Sequence, residues 1–376
     1  MKINIQKEDL LYAVQAVERA VSNKNTLPVL GGIMMQAVSG RLYFRATDLE
    51  LAMECVINAD IEEEGEVVVP GRKFSGMVRT LPGGNVHLES LGREQLLVKY
   101  ENEQSEFTVP CFAVEEFPIL PQPEGDIQGY VPVRVFRRLV KQVSIAAAAD
   151  EARPVFTGVL MELSDDKLVM VATDTHRLAM GSGVWQGKGQ LSLIMPARTL
   201  QEIGRLAVND EENITIIAGK SQAHFTLGNI SFTSRVIVGQ FPEYKQVLPA
   251  ESLFCTHIEL NNARLSGALE RASMLSRESM RGKGNIVRLA CGEGKLVMTA
   301  EVPDEGMIRE DIPAGVAGEP LTVNYNARYM LDVLKVLEEE SLIFHLTGAT
   351  TPGVIKPAGE NADEYLYLIL PVRVSK

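Results

Sequence analysis

The chain repeats itself, and this repeat is the strongest constraint on how its 376 residues fold. Ala46-Thr47-Asp48 returns about 126 residues later as Ala172-Thr173-Asp174, and a fainter third copy follows at Thr299-Ala300-Glu301. A period of this kind indicates one structural unit used several times. The sequence therefore predicts three similar domains. We place them at residues 1–128, 129–253 and 254–376.

Each copy reads as short strands separated by two amphipathic helices. In the first copy, alternating apolar runs bounded by turn residues predict strands at 40–44, 66–69, 85–89, 96–100 and 106–109. Helices are expected from Glu8 to Val21 and around Arg72, with counterparts in the later copies, including one over Pro132–Asp150. The pattern predicts an α+β fold in which each domain is a doubled strand–helix–strands motif.

Composition narrows the class of protein. The chain has no run of about 18 apolar residues, so we expect no membrane span, and its first residues already form a strand and a helix rather than a signal peptide. Its four cysteines lie far apart without a Cys-x-x-Cys pair, which is typical of reduced, buried thiols. We therefore expect a cytoplasmic protein.

The basic residues are gathered on helices, although the net charge of −12 speaks against nucleic acid. Five of the six predicted helices carry two cations seven residues apart, on the face opposite the apolar stripe. These pairs are Arg72 with Arg79, Arg134 with Lys141, Arg198 with Arg205, Arg264 with Arg271, and Arg328 with Lys335. Such a surface suits a polyanion, whereas ordinary solvated helix faces are the simpler alternative.

Catalytic motifs are scarce. Gly219-Lys220-Ser221 resembles the end of a phosphate loop, but Ile214 stands where the upstream glycine should be. The five histidines are scattered without metal-ligand spacing, so we expect no metal and no cofactor. The repeated Thr-Asp pairs favour a structural turn over acid–base catalysis.

One departure between the copies stands out. After the shared Thr-Asp, the first copy has Leu49-Glu50 and the second has Thr175-His176-Arg177, which reads as a substitution with one added residue. Where two copies share a scaffold, a difference is a place for a function specific to one copy. Drift on an exposed strand is the alternative.

Over its full length the chain resembles the bacterial sliding clamps, the beta subunits of DNA polymerase III. The segments that carry the resemblance are Thr26-Leu27-Pro28-Val29-Leu30, Ala46-Thr47-Asp48-Leu49-Glu50, Val69-Pro70-Gly71-Arg72-Lys73-Phe74, Thr173-Asp174-Thr175-His176-Arg177-Leu178, Phe241-Pro242-Glu243-Tyr244 and Leu370-Pro371-Val372-Arg373. The resemblance implies three tandem clamp domains and a homodimer that closes head to tail into a six-domain ring, with helices inside and sheets outside.

The resemblance also implies a function without catalysis. The ring would encircle double-stranded DNA without reading its sequence, and would tether the DNA polymerase III catalytic subunit. The clamp loader and other proteins with a clamp-binding motif would be further partners.

Three sets of site residues follow from the resemblance. DNA-binding residues would be Lys24, Arg72, Lys73, Arg137 and Arg198. A partner-peptide pocket between the second and third domains would use Thr173, Thr175, His176, Arg177, Leu178, Pro242, Val247, Leu368 and Leu370. The dimer interface would bring Phe107 to Met274 and Leu275 of the other chain. The segment 348–363 departs from the family's usual length, at the rim expected for the pocket.

Two other classes compete with a clamp on the residues alone. A peptide-binding scaffold without nucleic acid would keep the pocket but would not be retained on DNA. An enzyme would need a cluster of perturbed titratable groups in a pocket, and no convincing cluster is visible in the sequence.

Overall fold

A computed structural model describes residues 1–22, 27–150, 152–276, 286–302, 306–359 and 362–373. The chain forms two compact units. The first comprises Met1–Arg134, Gln186–Leu191 and Arg198–Val236, and the second Val135–Trp185, Ser192–Ala197 and Ile237–Lys376. The second copy of the repeat thus contributes to both units.

Six α-helices lie within the described residues, two in each copy. They are α1 (Lys7–Val17), α2 (Gly71–Thr80), α3 (Val133–Val143), α4 (Ala197–Leu206), α5 (Asn262–Ser276) and α6 (Ala327–Leu334). The predicted number and placement of helices are confirmed. α3 is shorter than predicted: a 3₁₀ turn follows it, and Ala148 N then donates to Phe156 O, which draws the chain into an extended path.

The strands repeat with the same spacing. Those of the first copy are β1 (Lys2–Gln6), β2 (Gly32–Val38), β3 (Arg41–Thr47), β4 (Leu51–Asn58), β5 (Asp60–Glu63), β6 (Gly65–Pro70), β7 (Asn85–Leu91), β8 (Gln95–Tyr100) and β9 (Ser105–Pro110). Those of the second are β10 (Ile127–Pro132), β11 (Gly158–Ser164), β12 (Lys167–Thr173), β13 (Arg177–Val184), β14 (Gln186–Gly187), β15 (Gln190–Pro196), β16 (Asn213–Ala218), β17 (Gln222–Leu227) and β18 (Ile230–Arg235). Those of the third are β19 (Thr256–Asn261), β20 (Ile286–Gly292), β21 (Lys295–Val302), β22 (Gly306–Gly318), β23 (Leu321–Asn326), β24 (Ser341–Leu346), β25 (Gly353–Pro357) and β26 (Tyr365–Ile369).

These strands form three sheets, and the α+β prediction is confirmed. The first unit holds a five-stranded sheet in the order β5-β1-β7-β8-β9 and a nine-stranded sheet in the order β14-β10-β16-β17-β18-β4-β3-β2-β6. The twelve-stranded sheet has the order β15-β11-β12-β13-β26-β25-β24-β19-β22-β21-β20-β23.

The large sheets run without a break from one copy into the next. β18, the last strand of the second copy, pairs antiparallel with β4 of the first, with Ile230 opposite Cys55. β26, the last strand of the third copy, pairs in the same way with β13 of the second, with Arg177 opposite Ile369. Adjacent copies are therefore joined by main-chain hydrogen bonds, which leave no exposed edge at these junctions.

The helices bury one stripe each, as their periodicity predicts. In α3, Phe136 and Leu139 are fully buried while Arg134 and Arg137 are exposed. Burying a side chain as large as Phe136 stabilises the fold by about 1.5–3 kcal/mol. The basic face is thus the face that each helix turns away from its core.

The cysteines are free thiols, as expected, but only two of the four are buried. Cys55 and Cys291 are buried, whereas Cys111 and Cys255 are half-buried at strand ends. Burial raises the pKa of the Cys55 thiol to about 12, which suppresses its thiolate form. Among the described helices, none has the length and apolar content needed to cross a bilayer.

Candidate functional site

The Thr-Asp pairs are structural turns, as predicted. Thr173 Oγ1 donates to Arg177 O at 2.7 Å, and Asp174 Oδ1 accepts from the backbone N–H groups of His176 and Arg177. Thr175 between them has φ of 79°, a left-handed conformation that these side-chain bonds stabilise. The first copy builds the same turn on Thr47 and Asp48.

The second copy has no added residue in this turn, contrary to the sequence prediction. The threonine hydroxyl reaches the carbonyl four residues on in both copies, and β4 and β13 begin directly after it, at Leu51 and Arg177. Leu49, Glu50 and Leu51 are therefore replaced by Thr175, His176 and Arg177 one for one. The apparent insertion arose because Ala-Met recurs one residue later along β13.

Arg177 is buried at the end of this turn, and its charge is paired with acidic side chains of the protein itself. Its Nη1 atom lies 2.6 Å from Asp332 Oδ2, and its Nε atom lies 3.0 Å from Asp174 Oδ2. The guanidinium also stacks on the Tyr329 ring at 4.3 Å. Burial alone would lower the pKa of Arg177, but Tyr367, Asp332 and Asp174 together raise it above its ordinary value. Arg177 thus fastens the turn to α6.

An apolar cluster lies beside the turn in the second unit. Leu178 of β13 and Leu368 of β26 are directly paired across the strands and are 3% and 4% exposed. They pack with Leu160, Val171, Ile194, Phe241, Tyr244 and Val354. Tyr244 OH donates to Glu162 Oε2 at 2.6 Å, so the ring is held in place by a polar contact at its outer end.

Exposed residues surround this cluster. Thr175, His176 and Pro242 are exposed, and Val247 and Leu370 keep 54% and 37% of their surface open. Leu370 N donates to His176 O at 2.9 Å, which places the chain after β26 against the turn. An apolar floor with exposed apolar side chains at its rim fits an extended peptide with apolar anchors.

The structure thus divides the nine predicted pocket residues by burial. Thr173, Arg177, Leu178 and Leu368 are buried and form the frame and floor. The other five are exposed and able to meet a partner. Sequence reasoning missed Tyr329 and Asp332, which hold Arg177, because no local pattern links α6 to a turn about 155 residues earlier.

The basic helices place their cations against the helix dipole. The second or third residue of α2, α3, α4, α5 and α6 is an arginine, and none of these helices has an acid in its first turn. A cation there is unfavourable by about 0.3–1 kcal/mol, since the helix N-terminus is itself positive. α1, by contrast, has Glu8 and Asp9 in its first turn. Five helix starts are therefore poised for an external anion.

In four of the five basic pairs, one member forms an ion pair and the other does not. Within the described residues, the first members have no ion pair; these are Arg72, Arg134, Arg198, Arg264 and Arg328. Four of the second members are paired, Lys141 with Glu338, Arg205 with Glu202, Arg271 with Glu310 and Lys335 with Glu270. The charges left for a polyanion are thus concentrated at the helix starts.

In the first unit, acids near the basic helices are held internally. Glu202 of α4 is buried and bound by Arg19 and Arg205, with N–O distances of 2.7 and 2.6 Å. Glu18 accepts from Ser75 Oγ of α2 at 2.6 Å. These carboxylates are occupied and do not cancel the exposed charges of the helix starts.

The predicted DNA-binding residues are exposed wherever they are described. Arg72 and Lys73 start α2, Arg198 starts α4, and Arg137 lies on the outer face of α3. Lys24 lies outside the described residues.

The predicted dimer residues lie on β9, at the edge of a sheet, and at the end of α5. Phe107 is half-buried in the middle of β9, the terminal strand of the five-stranded sheet, with its ring 6.2 Å from that of Tyr100. Met274 is 65% exposed at the end of α5, and Leu275 lies beside Gly306 at the start of β22. Residues 306–313 of β22 pair with β21, while β19 pairs only with residues 314–318.

Comparisons with known proteins cover almost the whole chain. Family models of the DNA polymerase III beta subunit match in chain order: the N-terminal domain at residues 1–121, the central domain at 130–243 and the C-terminal domain at 245–373. The beta sliding clamp of Staphylococcus aureus is 29% identical over 383 residues, which span 99% of each chain.

Solved structures agree with these matches. The DNA polymerase sliding clamp of Bacillus subtilis superimposes with a TM-score of 0.92 and 30% identity, covering 100% of both chains. A sliding clamp from Pseudomonas aeruginosa, solved bound to griselimycin, gives a TM-score of 0.91 and 29% identity over 100% of both chains.

Proposed function

This chain belongs to the DNA polymerase III beta subunit family, and from that premise we propose that it closes as a homodimeric ring around duplex DNA and tethers the replicative polymerase there. It is a sliding clamp, not an enzyme. The observation that carries the proposal is the exposed arginine near the start of five helices, which has no ion-pair partner within the described residues and can offer its charge to a polyanion whatever the base sequence.

The exposed cations at the helix starts suit a protein that slides along DNA. Phosphate contacts from exposed cations are individually weak, independent of sequence and sensitive to salt. Arg72, Lys73, Arg137, Arg198 and Lys24 are the proposed DNA-binding set. Topological closure would supply the retention that such contacts do not provide.

Ring closure follows from the junction that already joins the copies. In that junction the last strand of one copy pairs with the strand that follows the Thr-Asp turn of the copy before it. β9 is the last strand of the first copy and lies at a sheet edge, and β22 begins at the equivalent place in the third copy. We therefore place β9 of one chain against β22 of its partner, with Phe107 near Met274 and Leu275. Two such junctions close a symmetric dimer and remove both edges.

The cluster around Leu178 and Leu368 is the proposed peptide pocket. Its partners would be the DNA polymerase III catalytic subunit, the clamp loader and other proteins that carry an apolar clamp-binding motif. The second copy differs from the first here, because Thr175 and His176 replace Leu49 and Glu50 on the same turn. We further propose that the first domain ends at residue 128 and the second at residue 253. The proposed location of the protein is the cytoplasm.

A processivity assay tests the tether. His176→Ala removes an exposed rim side chain, and Glu50→Ala is the matched control on the equivalent turn of the first copy. On a primed circular template, we expect His176→Ala to shorten the products at low clamp concentration while the control matches the parent protein. Equal product lengths from the two variants would refute the assignment of the pocket to the second-copy turn.

A further inference from the structure

Two histidines face each other across a strand pair of the second unit, and neither belongs to the residues proposed for the pocket or the helix starts. His257 of β19 and His345 of β24 are directly opposite in the antiparallel register. Their Nδ1 atoms lie 2.7 Å apart, and their rings meet edge to face with centroids 4.9 Å apart. Only one proton fits between the two nitrogens.

An aromatic ring and a lysine lie beside the two imidazoles. The Phe254 ring centroid is 4.9 Å from that of His345 and 6.2 Å from that of His257, so the ring packs against both. Lys356 is 17% exposed and lies 3.8 Å from the exposed Glu251 carboxylate. Burial, then His257 and Lys356, lower the pKa of His345 to about 4, so its ring is neutral at neutral pH.

Neutral imidazole nitrogens are the preferred ligands of late first-row divalent metals. We propose that His257 and His345 bind a divalent cation of this class, Zn²⁺, Ni²⁺ or Cu²⁺, as a clip between β19 and β24. Tetrahedral coordination at about 2.0–2.1 Å requires the two nitrogens to separate to roughly 3.3 Å, which small rotations of the side chains supply.

The pair furnishes two ligands, and the remaining positions fall to water. Within the described ranges no group of three or more His, Cys, Asp or Glu side chains is arranged around one point. His257 is exposed and His345 is half-buried, so water can reach the pair. Both rings would carry their proton on Nε2, leaving both Nδ1 lone pairs for the metal. The unfolded chain lacks this juxtaposition, so bound metal stabilises the folded second unit.

Calorimetric titration of the full-length, tag-free protein with NiCl₂ and with ZnCl₂ tests the site. The variants are His257→Ala and His345→Ala, and His176→Ala is the control at an exposed histidine outside the pair. We expect one metal per chain, with affinity at least tenfold weaker in either variant of the pair and unchanged in the control.

The single tryptophan provides a second readout. Trp185 is fully buried in the second unit, so its fluorescence verifies that each variant is folded and reports the unfolding midpoint. Added Ni²⁺ should raise the unfolding midpoint of the parent protein and leave the midpoints of both pair variants unchanged. Binding that persists in both variants, or no binding up to millimolar metal, would overturn the proposal.

Discussion

Replacing Arg177 by leucine tests whether this residue holds the pocket together or serves the partner directly. Leucine is what the first copy carries at the equivalent position, Leu51, where it is buried, so the shape is compatible with the turn. The substitution removes the ion pairs to Asp332 at 2.6 Å and to Asp174 at 3.0 Å, and the stacking on Tyr329.

The size of the effect follows from burial. Breaking a buried ion pair from one side is destabilising by about 3–5 kcal/mol, because the partner charge is left without compensation. The Asp332 side chain is 31% exposed and regains water, so we take the lower end, about 3 kcal/mol. Asp174 keeps its two backbone donors, which limits the loss further.

Urea unfolding followed by Trp185 fluorescence measures this effect, because Trp185 lies in the same unit. With an m value near 3 kcal/mol/M, the midpoint should fall by about 1 M in Arg177→Leu. Asp332→Asn leaves Arg177 paired with Asp174 and should lower the midpoint less. An unchanged midpoint in Arg177→Leu, together with lost peptide binding, would show that Arg177 acts on the partner and that the positioning argument is wrong.

Three further predictions concern the helix starts, the sheet edge and the histidine pair. Lys73→Glu should flatten the dependence of DNA affinity on salt in filter-binding titrations, by roughly one unit of log–log slope per cation lost, whereas Arg41→Glu, at the exposed first residue of β3, should not. Phe107→Asp should shift the protein from dimer to monomer in sedimentation experiments, and a persistent dimer would remove β9 from the interface. Because the pKa of His345 is lowered from 6.5 to about 4, the unfolded chain binds the extra proton between these values. The free energy of unfolding should therefore fall as pH drops through this window. Unfolding curves followed by Trp185 fluorescence should show a weaker dependence of that free energy on pH in His345→Gln.

The repeat made the elements of the fold predictable. Local periodicity and turn residues placed both helices of every copy, because an amphipathic stripe and its bounding glycines and prolines act over a few residues. α2 and α4 accordingly begin at equivalent positions, Gly71 and Ala197. The same local signals gave the bounds of β3, β6, β7, β8 and β9 to within a few residues, whereas no predicted range covered β4 or β5.

The junctions and the role of Arg177 could not be predicted in this way. β4 pairs with β18 across nearly half the length of the chain, and no local pattern specifies a partner at that distance. Periodicity arguments assign every arginine to the surface. They could therefore not predict that Arg177 is buried against Asp332. For the same reason, the ion pairs of Arg271 and Lys335 could not be predicted from the sequence.

Retention on DNA before and after cutting tests the central claim most directly. The protein is loaded on nicked circular DNA by a clamp loader, separated from free protein at raised salt, and divided between an untreated sample and one linearised by a restriction enzyme. A closed ring should stay on the circle and leave the linear DNA over its free ends, because its contacts with phosphate are weak. Equal retention on the two forms would contradict encirclement and point to direct binding instead.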